Sequence, residues 1–289
     1  PSSSMAGGDR VTATSGSRRP VVCRDESLPA RVSVYEVGPR DGLQAEARVV
    51  ATAEKIQFIL ALERAGLREI EATSFVSARW VPQLSDATEV LKALDTSVAR
   101  MPVLVPNERG LERAVAAGAR RVAVFVSATE TFAQRNLNQS RREAVQVAVR
   151  VTRAAIDAGL TVRGYVSMCF GDPWEGAVDP STVVETTREL RDAGCDEISL
   201  GDTIGVATAG QVKRVLGEHF AAGVPRERLA LHLHDTYGQA LANVLAGLQM
   251  GVTTFDSSAG GIGGCTFAGS ATGNLATEDL LWMLDGLGI

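Results

Sequence analysis

Cysteine, histidine and lysine are all scarce in this chain of 289 residues. The four cysteines lie far apart without C-x-x-C spacing, which argues against a disulfide framework and against a structural zinc site. No apolar run approaches the roughly 18 residues needed to cross a bilayer, so no membrane partner is expected. The net charge of −5, without a basic patch interleaved with aromatics, argues against nucleic-acid binding. The composition is that of an ordinary globular protein, for which a reducing cytoplasm fits best.

The first 27 residues differ from the rest of the chain, because they are rich in serine, glycine and arginine and show little periodicity. Residues 1–27 are therefore predicted to be a disordered leader or tag remnant. An organellar transit peptide is the alternative, but Asp9, Asp25 and Glu26 favour a cytoplasmic protein over a mitochondrial-matrix one. Residues 28–289 are expected to form a single domain.

From Arg31 onward one unit recurs, made of a helix-like stretch, a glycine and a short β-rich run. A glycine just past a helix end supplies the left-handed conformation that returns the chain to the sheet. These glycines are Gly66, Gly118, Gly159, Gly194, Gly223 and Gly251. With the opening run 31–37 and a further run at 99–105, eight strands are predicted. Eight alternating units indicate an α/β fold, the (β/α)₈ TIM barrel. The rival is a doubly wound open sheet, but no G-x-G-x-x-G follows the first strand.

Two of the three histidines lie in the predicted seventh strand. His232 and His234 are two positions apart, so both side chains leave a β-strand on the same side. Both imidazoles could then bind one ion. For an H-x-H pattern alone, a hydrogen-bonded pair in the core or at its rim is an equally good interpretation.

Further polar residues follow the carboxyl ends of the predicted strands, where barrel enzymes place their chemistry. Together they predict a mouth containing Glu36, Asp41, Glu71, Asp202, His232 and His234. Carboxylates combined with imidazoles suit a divalent ion that acts as a Lewis acid. Arg163 lies inside a strand and needs an anionic partner, because an unpaired buried charge is costly.

The stretch after the eighth strand is rich in glycine around Cys265. Such a loop is typical of a lid, and a thiol in it could act as an acid, a base or a nucleophile. A flexible loop with an incidental cysteine is the alternative. Asn274 comes just before a helix marked by Thr277, so its side chain could either complete a metal site or cap the helix.

These motifs resemble the 3-hydroxy-3-methylglutaryl-CoA lyase family, and the likeness runs from about Val32 to Ile289. The matching segments are Gly-Pro-Arg-Asp-Gly-Leu-Gln (38–44), Thr-Ser-Phe-Val-Ser (73–77), Trp-Val-Pro-Gln (80–83), Leu-Gly-Asp-Thr-Ile-Gly-Val (200–206), His-Leu-His-Asp-Thr-Tyr-Gly-Gln-Ala-Leu-Ala-Asn (232–243), Gly-Gly-Ile-Gly-Gly-Cys (260–265) and Gly-Asn-Leu-Ala-Thr-Glu-Asp-Leu (273–280). The family belongs to a wider group of metal-dependent aldol- and Claisen-type barrels.

The resemblance implies cleavage of 3-hydroxy-3-methylglutaryl-CoA to acetoacetate and acetyl-CoA by a homodimer. It implies that Arg40 contacts the acyl-CoA substrate and that Cys265 is the catalytic thiol. It also implies a bound Mg²⁺ or Mn²⁺, with the ligands Asp41, His232, His234 and Asn274.

The remaining assignments concern groups around that centre. Glu71 and Asp202 are expected to take part in catalysis, either by orienting the residues that contact the metal and the substrate or by relaying protons. Gln44 is expected to bind substrate. Arg163 is expected either to bind substrate or to orient the other groups.

Departures from the family pattern leave alternatives open. The loop reads Cys265-Thr266-Phe267-Ala268, where the family usually has Cys-Pro-Tyr-Ala. The alternatives are an acetyl-CoA-dependent Claisen-type synthase, a lyase for a longer branched 3-hydroxyglutaryl-CoA, and a non-catalytic metal- or CoA-binding barrel.

Overall fold

A computed structural model describes residues 19–264 and 273–289, and within them parallel strands form one curled sheet. The strands are β1 (Ser33–Glu36), β2 (Glu69–Ile70), β3 (Thr73–Ser74), β4 (Val103–Leu104), β5 (Arg121–Ser127), β6 (Thr161–Ser167), β7 (Glu197–Asp202), β8 (Leu229–Leu233) and β9 (Thr254–Ser257). Their order in the sheet is β2-β1-β9-β8-β7-β6-β5-β4-β3.

The two strands at the ends of that order, β2 and β3, follow each other directly in the chain and are the two halves of one interrupted strand, residues 69–74. Between them, the Glu71 N–H donates to the Glu36 carbonyl at 2.9 Å and the Ala72 N–H to the Pro102 carbonyl at 3.0 Å. These bonds join residues 69–74 to β1 on one side and to the start of β4 on the other, so the sheet closes on itself. Pro102 has no N–H to donate opposite the break, which accounts for the split. The predicted (β/α)₈ barrel is confirmed, with its second strand divided in two.

Helices pack around the outside of this barrel. They are α1 (Thr52–Arg64), α2 (Ala87–Lys92), α3 (Glu108–Ala116), α4 (Glu130–Leu137), α5 (Arg141–Asp157), α6 (Pro180–Ala193), α7 (Ala209–Ala221), α8 (Ala240–Gln249) and α9 (Thr277–Leu287). Their ends follow local signals: Ser140 and Glu143 form a capping box at the start of α5, and Gly194 ends α6 with φ 113°.

The hydrophobic core lies between the helices and the strands. Ile59, Leu190 and Leu216 from the helices and Ile198 and Phe255 from the strands are all fully buried there. Each such side chain contributes on the order of 1.5–3 kcal/mol through burial. The core therefore fixes the strands, and the strands carry the polar residues of the barrel interior.

The segment 19–27, predicted as part of a disordered leader, contacts the end of α9. The Cys23 N–H donates to the Gly286 carbonyl at 2.8 Å, and Arg24 Nη1 donates to the Gly288 carbonyl at 2.9 Å. This part of the predicted leader is held by hydrogen bonds, and residues 1–18 lie outside the described residues. No helix in the described ranges combines the length and apolar character needed to span a membrane.

Candidate active site

The two histidines meet at the carboxyl end of β8. His232 lies in the strand and His234 follows its last residue, so the alternation of the strand turns both rings the same way. Their Nε2 atoms are 3.2 Å apart, and both side chains are buried. The predicted juxtaposition of the imidazoles is present.

Asp41 reaches the same point from a tight turn after β1. Residues Gly38–Gly42 form one π-helical turn in which the N–H groups of Arg40, Asp41 and Gly42 all donate to the Val37 carbonyl. Asp41 Oδ2 lies 3.9 Å from His232 Nε2. One ligand atom from each of Asp41, His232 and His234 lies within 4.8 Å of the others, an arrangement that could hold a metal ion.

Asn274 is the fourth predicted ligand, and the backbone holds it beside β8. The Leu275 N–H donates to the Leu233 carbonyl at 2.9 Å, and the Asp235 N–H donates to the Gly273 carbonyl at 3.0 Å. The Asn274 amide donates to Asp41 Oδ2 at 2.9 Å. All four predicted ligands are therefore adjacent in the fold.

Arg40 is buried beside this cluster between two carboxylates. Its Nε donates to Glu71 at 2.6 Å and its Nη1 to Asp41 at 2.6 Å. Its guanidinium lies over the Tyr165 ring, 5.6 Å from the centroid, and the Tyr165 hydroxyl is 3.4 Å from Glu71. Burial raises the pKa of Asp41, but Arg40 and the two imidazoles outweigh it and lower the pKa to about 2.

A cavity of about 530 Å³ opens from the cluster. Arg40, Asp41, His232 and His234 line one part of it, and Trp80, Arg135 and Asn138 line another. Gln44, predicted to bind substrate, also lines this cavity, as does Gly264. Cys265 follows Gly264 directly and lies outside the described residues.

Asp202 and Glu36 were both predicted at the mouth, but their carboxylates accept hydrogen bonds from nearby backbone N–H groups. Asp202 accepts hydrogen bonds from the N–H groups of Val206 at 2.9 Å and Ala207 at 3.0 Å, and so shapes the loop after β7. Burial raises the pKa of Asp202 to about 6. Glu36 accepts hydrogen bonds from the Gly38 N–H at 2.7 Å, from the Ala259 N–H and from Thr277 Oγ1. It is therefore a buried residue that links three segments of the chain, and not a residue of the mouth.

Arg163 lies lower in the barrel than its predicted contact with substrate would require. Its Nε donates to Glu197 at 2.8 Å and its Nη2 to Asp256 at 2.6 Å. It lines a separate cavity of about 250 Å³ together with Glu197, and is absent from the lining of the larger one. The alternative prediction, that it orients other groups, agrees with these contacts.

Asp256 and Tyr165 are site residues that the sequence interpretation missed. Asp256 is buried in β9 and lies 3.2 Å from His232 Nδ1. A signal was present, because an acidic residue inside a buried strand must have a partner. Arg163 was predicted to need an anionic partner, and Asp256 could have been recognised as a candidate for it.

Comparison with known proteins gives a consistent result. The HMGL-like family model matches residues 31–289. The mitochondrial hydroxymethylglutaryl-CoA lyase of Pongo abelii is 54% identical, over 91% of this chain and 81% of its own length. The cytoplasmic 3-hydroxy-3-methylglutaryl-CoA lyase of Danio rerio is also 54% identical, over 91% and 78%.

Solved structures agree. The hydroxymethylglutaryl-CoA lyase of Pseudomonas aeruginosa superposes with a TM-score of 0.87 at 49% identity, covering 91% of this chain and 88% of that one. An HMG-CoA lyase of Acenitobacter baumannii in complex with coenzyme A and 3-methylmalate has a TM-score of 0.86 at 35% identity, covering 92% and 87%.

Proposed function

This chain belongs to the HMGL-like family and is a carbon–carbon lyase, and we propose that the buried cluster at the carboxyl end of its barrel carries the reaction. The activity is hydroxymethylglutaryl-CoA lyase, which cleaves 3-hydroxy-3-methylglutaryl-CoA to acetoacetate and acetyl-CoA. The observation that carries the assignment of the site is the convergence of Asp41, His232 and His234 beside Arg40 in one cavity.

The cleavage sets three chemical demands. The tertiary hydroxyl group loses its proton, and the bond between C2 and C3 breaks to release acetoacetate. The electron pair of that bond moves into the thioester, which becomes an enolate. The enolate carbon then takes a proton and gives acetyl-CoA. The site must therefore stabilise negative charge on oxygen and hold one acid near carbon.

The residues present fit a divalent cation, for which we propose Mg²⁺ or Mn²⁺. Two imidazole nitrogens and a carboxylate oxygen form a mixed donor set suited to such ions. Neighbouring ligands of an octahedral ion, each about 2.1 Å from it, lie about 3.0 Å apart, and the two Nε2 atoms are 3.2 Å apart. The proposed ligands are Asp41, His232, His234 and Asn274. When bound, the cation makes a nearby hydroxyl group more acidic and offsets charge on oxygen.

Arg40 is proposed to stabilise the enolate. Its guanidinium cannot lose its proton, and Glu71 and Asp41 hold it rigidly at the cavity wall. A preorganised positive charge costs no reorganisation when negative charge develops on the thioester oxygen. Glu71 thus acts through Arg40, and Tyr165 supports both.

Cys265 is proposed as the acid that protonates the enolate carbon. This residue lies outside the described residues, and support comes from Gly264, which lines the cavity immediately before it. Gln44 is proposed to contact the acyl-CoA substrate from the cavity wall, and Asp202 to shape the loop that carries Thr203.

Two further proposals concern the protein as a whole. Relatives include mitochondrial and cytoplasmic enzymes, and the free cysteines Cys23, Cys169 and Cys195 fit a reducing compartment. We propose the cytoplasm over the mitochondrial matrix on the basis of the acidic residues Asp9, Asp25 and Glu26. A homodimer is proposed from the resemblance to the lyase family alone.

The test is acetoacetate release from 3-hydroxy-3-methylglutaryl-CoA by purified protein treated with a chelator. We expect activity to fall to background and to return with Mg²⁺ or Mn²⁺, while Asp41→Asn and His234→Ala stay inactive with either ion. Full activity in chelator would contradict the metal proposal. Thiol release from acetyl-CoA with a 2-oxo acid, without acetoacetate release from the lyase substrate, would instead indicate a Claisen-type synthase.

A further inference from the structure

We propose that Asp256 is a positioning residue that fixes the orientation and tautomer of His232, and that Arg163 holds Asp256 in place for this task. The inference rests on the proposed metal site, since it concerns how one of its ligands is aimed. It assigns a role to a buried group of the barrel interior that touches neither the large cavity nor the proposed ion.

Strand register brings Asp256 to His232. In the parallel pairing of β8 with β9, His232 is directly opposite Asp256, and both side chains point into the barrel. His232 Nδ1 and Asp256 Oδ2 are 3.2 Å apart. The other ring nitrogen, Nε2, faces His234 Nε2 at 3.2 Å. The ring therefore lies between a carboxylate on one side and the proposed ligand cluster on the other.

This placement decides which nitrogen carries the proton. A carboxylate only accepts hydrogen bonds, so the neutral ring donates Nδ1–H to Asp256 and leaves the lone pair on Nε2. That lone pair then points toward His234 and Asp41. Metal-binding histidines commonly have such a partner on the second nitrogen, which orients the ring and raises its basicity.

Arg163 keeps the carboxylate charged and stationary. It donates to both oxygens of Asp256, from Nη2 to Oδ1 at 2.6 Å and from Nη1 to Oδ2 at 3.0 Å. A bidentate pair of this kind fixes the plane of the carboxylate as well as its charge. Ser199 Oγ donates to the same Oδ2 at 3.1 Å. With these donors satisfied, Asp256 has little freedom to turn away from His232.

Arg163 is itself anchored from the other end of the barrel. Its Nε donates to Glu197, which lines the smaller cavity, and its guanidinium stacks 3.8 Å from the centre of the Tyr35 ring. A continuous line of contacts thus runs from Glu197 through Arg163 and Asp256 to His232. The smaller cavity is where this support begins.

The experiment compares Mn²⁺ binding, measured by electron paramagnetic resonance of the free ion, between the wild type and the variants described below. Asp256→Asn keeps the shape of the side chain and removes its charge, and we expect Mn²⁺ affinity to fall about 10–100-fold. Because Asp256→Asn leaves Arg163 buried without one of its two carboxylate partners, the single variant could also fail by misfolding. The double variant Asp256→Asn/Arg163→Gln removes both charges together and restores a neutral hydrogen-bonded pair.

The double variant separates the two roles of Asp256. If Asp256 only neutralises Arg163, the double variant binds Mn²⁺ as the wild type does, and the proposal is overturned. If Asp256 orients His232, the double variant folds but keeps the weakened Mn²⁺ affinity. Arg228→Gln is the matched control, since Arg228 lines the same smaller cavity but pairs with Asp196, outside this line of contacts, and its Mn²⁺ affinity should equal that of the wild type.

A second readout is the tautomer of His232 in the metal-free protein. The chain has only three histidines, so ¹⁵N-labelled rings can be assigned with single-residue variants. We expect His232 protonated at Nδ1 in the wild type and a mixture of tautomers in the double variant. An unchanged tautomer in the double variant would contradict the proposal.

Failure of the underlying metal site gives a different result. If the wild type shows no saturable Mn²⁺ binding, or if His234→Ala binds Mn²⁺ as the wild type does, the proposed metal centre is wrong. If the wild type binds Mn²⁺ through His234 and the double variant binds it equally well, only the role of Asp256 is wrong.

Discussion

Among the residues that the structure describes, two arginines are buried in the interior of the barrel, and their surroundings differ. Arg40 lies on a turn at the carboxyl end, lines the large cavity and is held by Glu71 and Asp41. Arg163 lies within β6, lines the smaller cavity and is held by Glu197 and Asp256. Each guanidinium has two carboxylate partners, yet only Arg40 lies where a substrate could reach it.

Tyr165 separates the two. Arg40 lies 5.6 Å and Arg163 4.8 Å from the centre of its ring, and the Tyr165 hydroxyl accepts from Arg163 and contacts Glu71. These contacts support the proposal that the same residue type serves the reaction above this ring and positioning below it. Both arginines have two carboxylate partners, so the ion pairs alone do not reveal the role of either residue. The cavity that each guanidinium faces is what distinguishes them.

The largest effect is expected from Arg163→Met. The substitution leaves Asp256 buried with no cation beside it, and breaking a buried pair in this way costs about 3–5 kcal/mol of unfolding free energy. Urea denaturation measures the loss. The double variant Asp256→Asn/Arg163→Gln should recover most of it. If Arg163→Met is as stable as the wild type, the ion pair between Arg163 and Asp256 does not stabilise the fold.

Arg40→Met is expected to act on the reaction instead. Removing a preorganised charge from a developing oxyanion lowers kcat about 10²–10³-fold. Steady-state acetoacetate release at saturating metal and substrate measures the change. Arg40→Lys keeps the charge but not the planar guanidinium, and its kcat should lie between those of the wild type and Arg40→Met. A loss of less than tenfold for Arg40→Met would remove Arg40 from the proposed mechanism.

Asp202 sharpens the comparison, because backbone N–H groups hold it where an arginine holds Asp256 and Asp41. Its native pKa of about 6 lies above the ordinary value of 3.8. The native state therefore binds the proton more tightly than the unfolded state does, and the stabilisation present below about pH 4 is lost as pH rises through about 6. A shift of that size corresponds to roughly 2–3 kcal/mol.

Asp202→Asn removes this titration. The unfolding free energy of the wild type minus that of Asp202→Asn should fall as pH rises from 4 to 7, which urea denaturation at several pH values would follow. A difference between the two proteins that is constant with pH would contradict the raised pKa.

The smallest effect is expected from Arg228→Ala. Arg228 lines the same small cavity as Arg163, but its side chain is 51% exposed and lies 3.8 Å from Asp196. An exposed pair of this kind contributes less than about 1 kcal/mol. Thermal unfolding of the variant should nearly match the wild type. A loss as large as that of Arg163→Met would mean that burial does not explain the difference between the arginines.

Much of the fold was predictable from the sequence, since helix-ending glycines and β-rich runs report local conformation directly. The split of the second strand was not predictable, because it depends on Pro102 lying opposite Glu71, and that pairing appears only once the barrel closes. The hydrogen bonds of Cys23 and Arg24 with the end of α9 were not predictable for a similar reason, because they join distant parts of the chain.

The site follows the same division. His232 and His234 are neighbours in sequence, so the spacing predicts their shared direction. Asp41 was predicted at the mouth and Asn274 as either a metal ligand or a helix cap, the family resemblance implied that both are ligands, and the fold brings both to the histidines. The sequence shows that Asp256, an acidic residue in a buried strand, needs a partner, but its contact with His232 depends on the register between β8 and β9, which no local pattern encodes. Glu36 and Asp202 were predicted at the mouth, yet nearby N–H groups turn both carboxylates into the backbone.

The most direct test of the difference between the arginines is kcat for acetoacetate release by Arg40→Met and Arg163→Met, measured on folded protein at saturating Mn²⁺. If Arg163 acts only through the aim of His232, saturating metal should return its variant to within about tenfold of the wild type. Arg40→Met should remain about 10²–10³-fold below the wild type under the same conditions. An Arg163→Met variant that falls as far as Arg40→Met, with its Mn²⁺ site full, would contradict the assignment of chemistry to one arginine and positioning to the other.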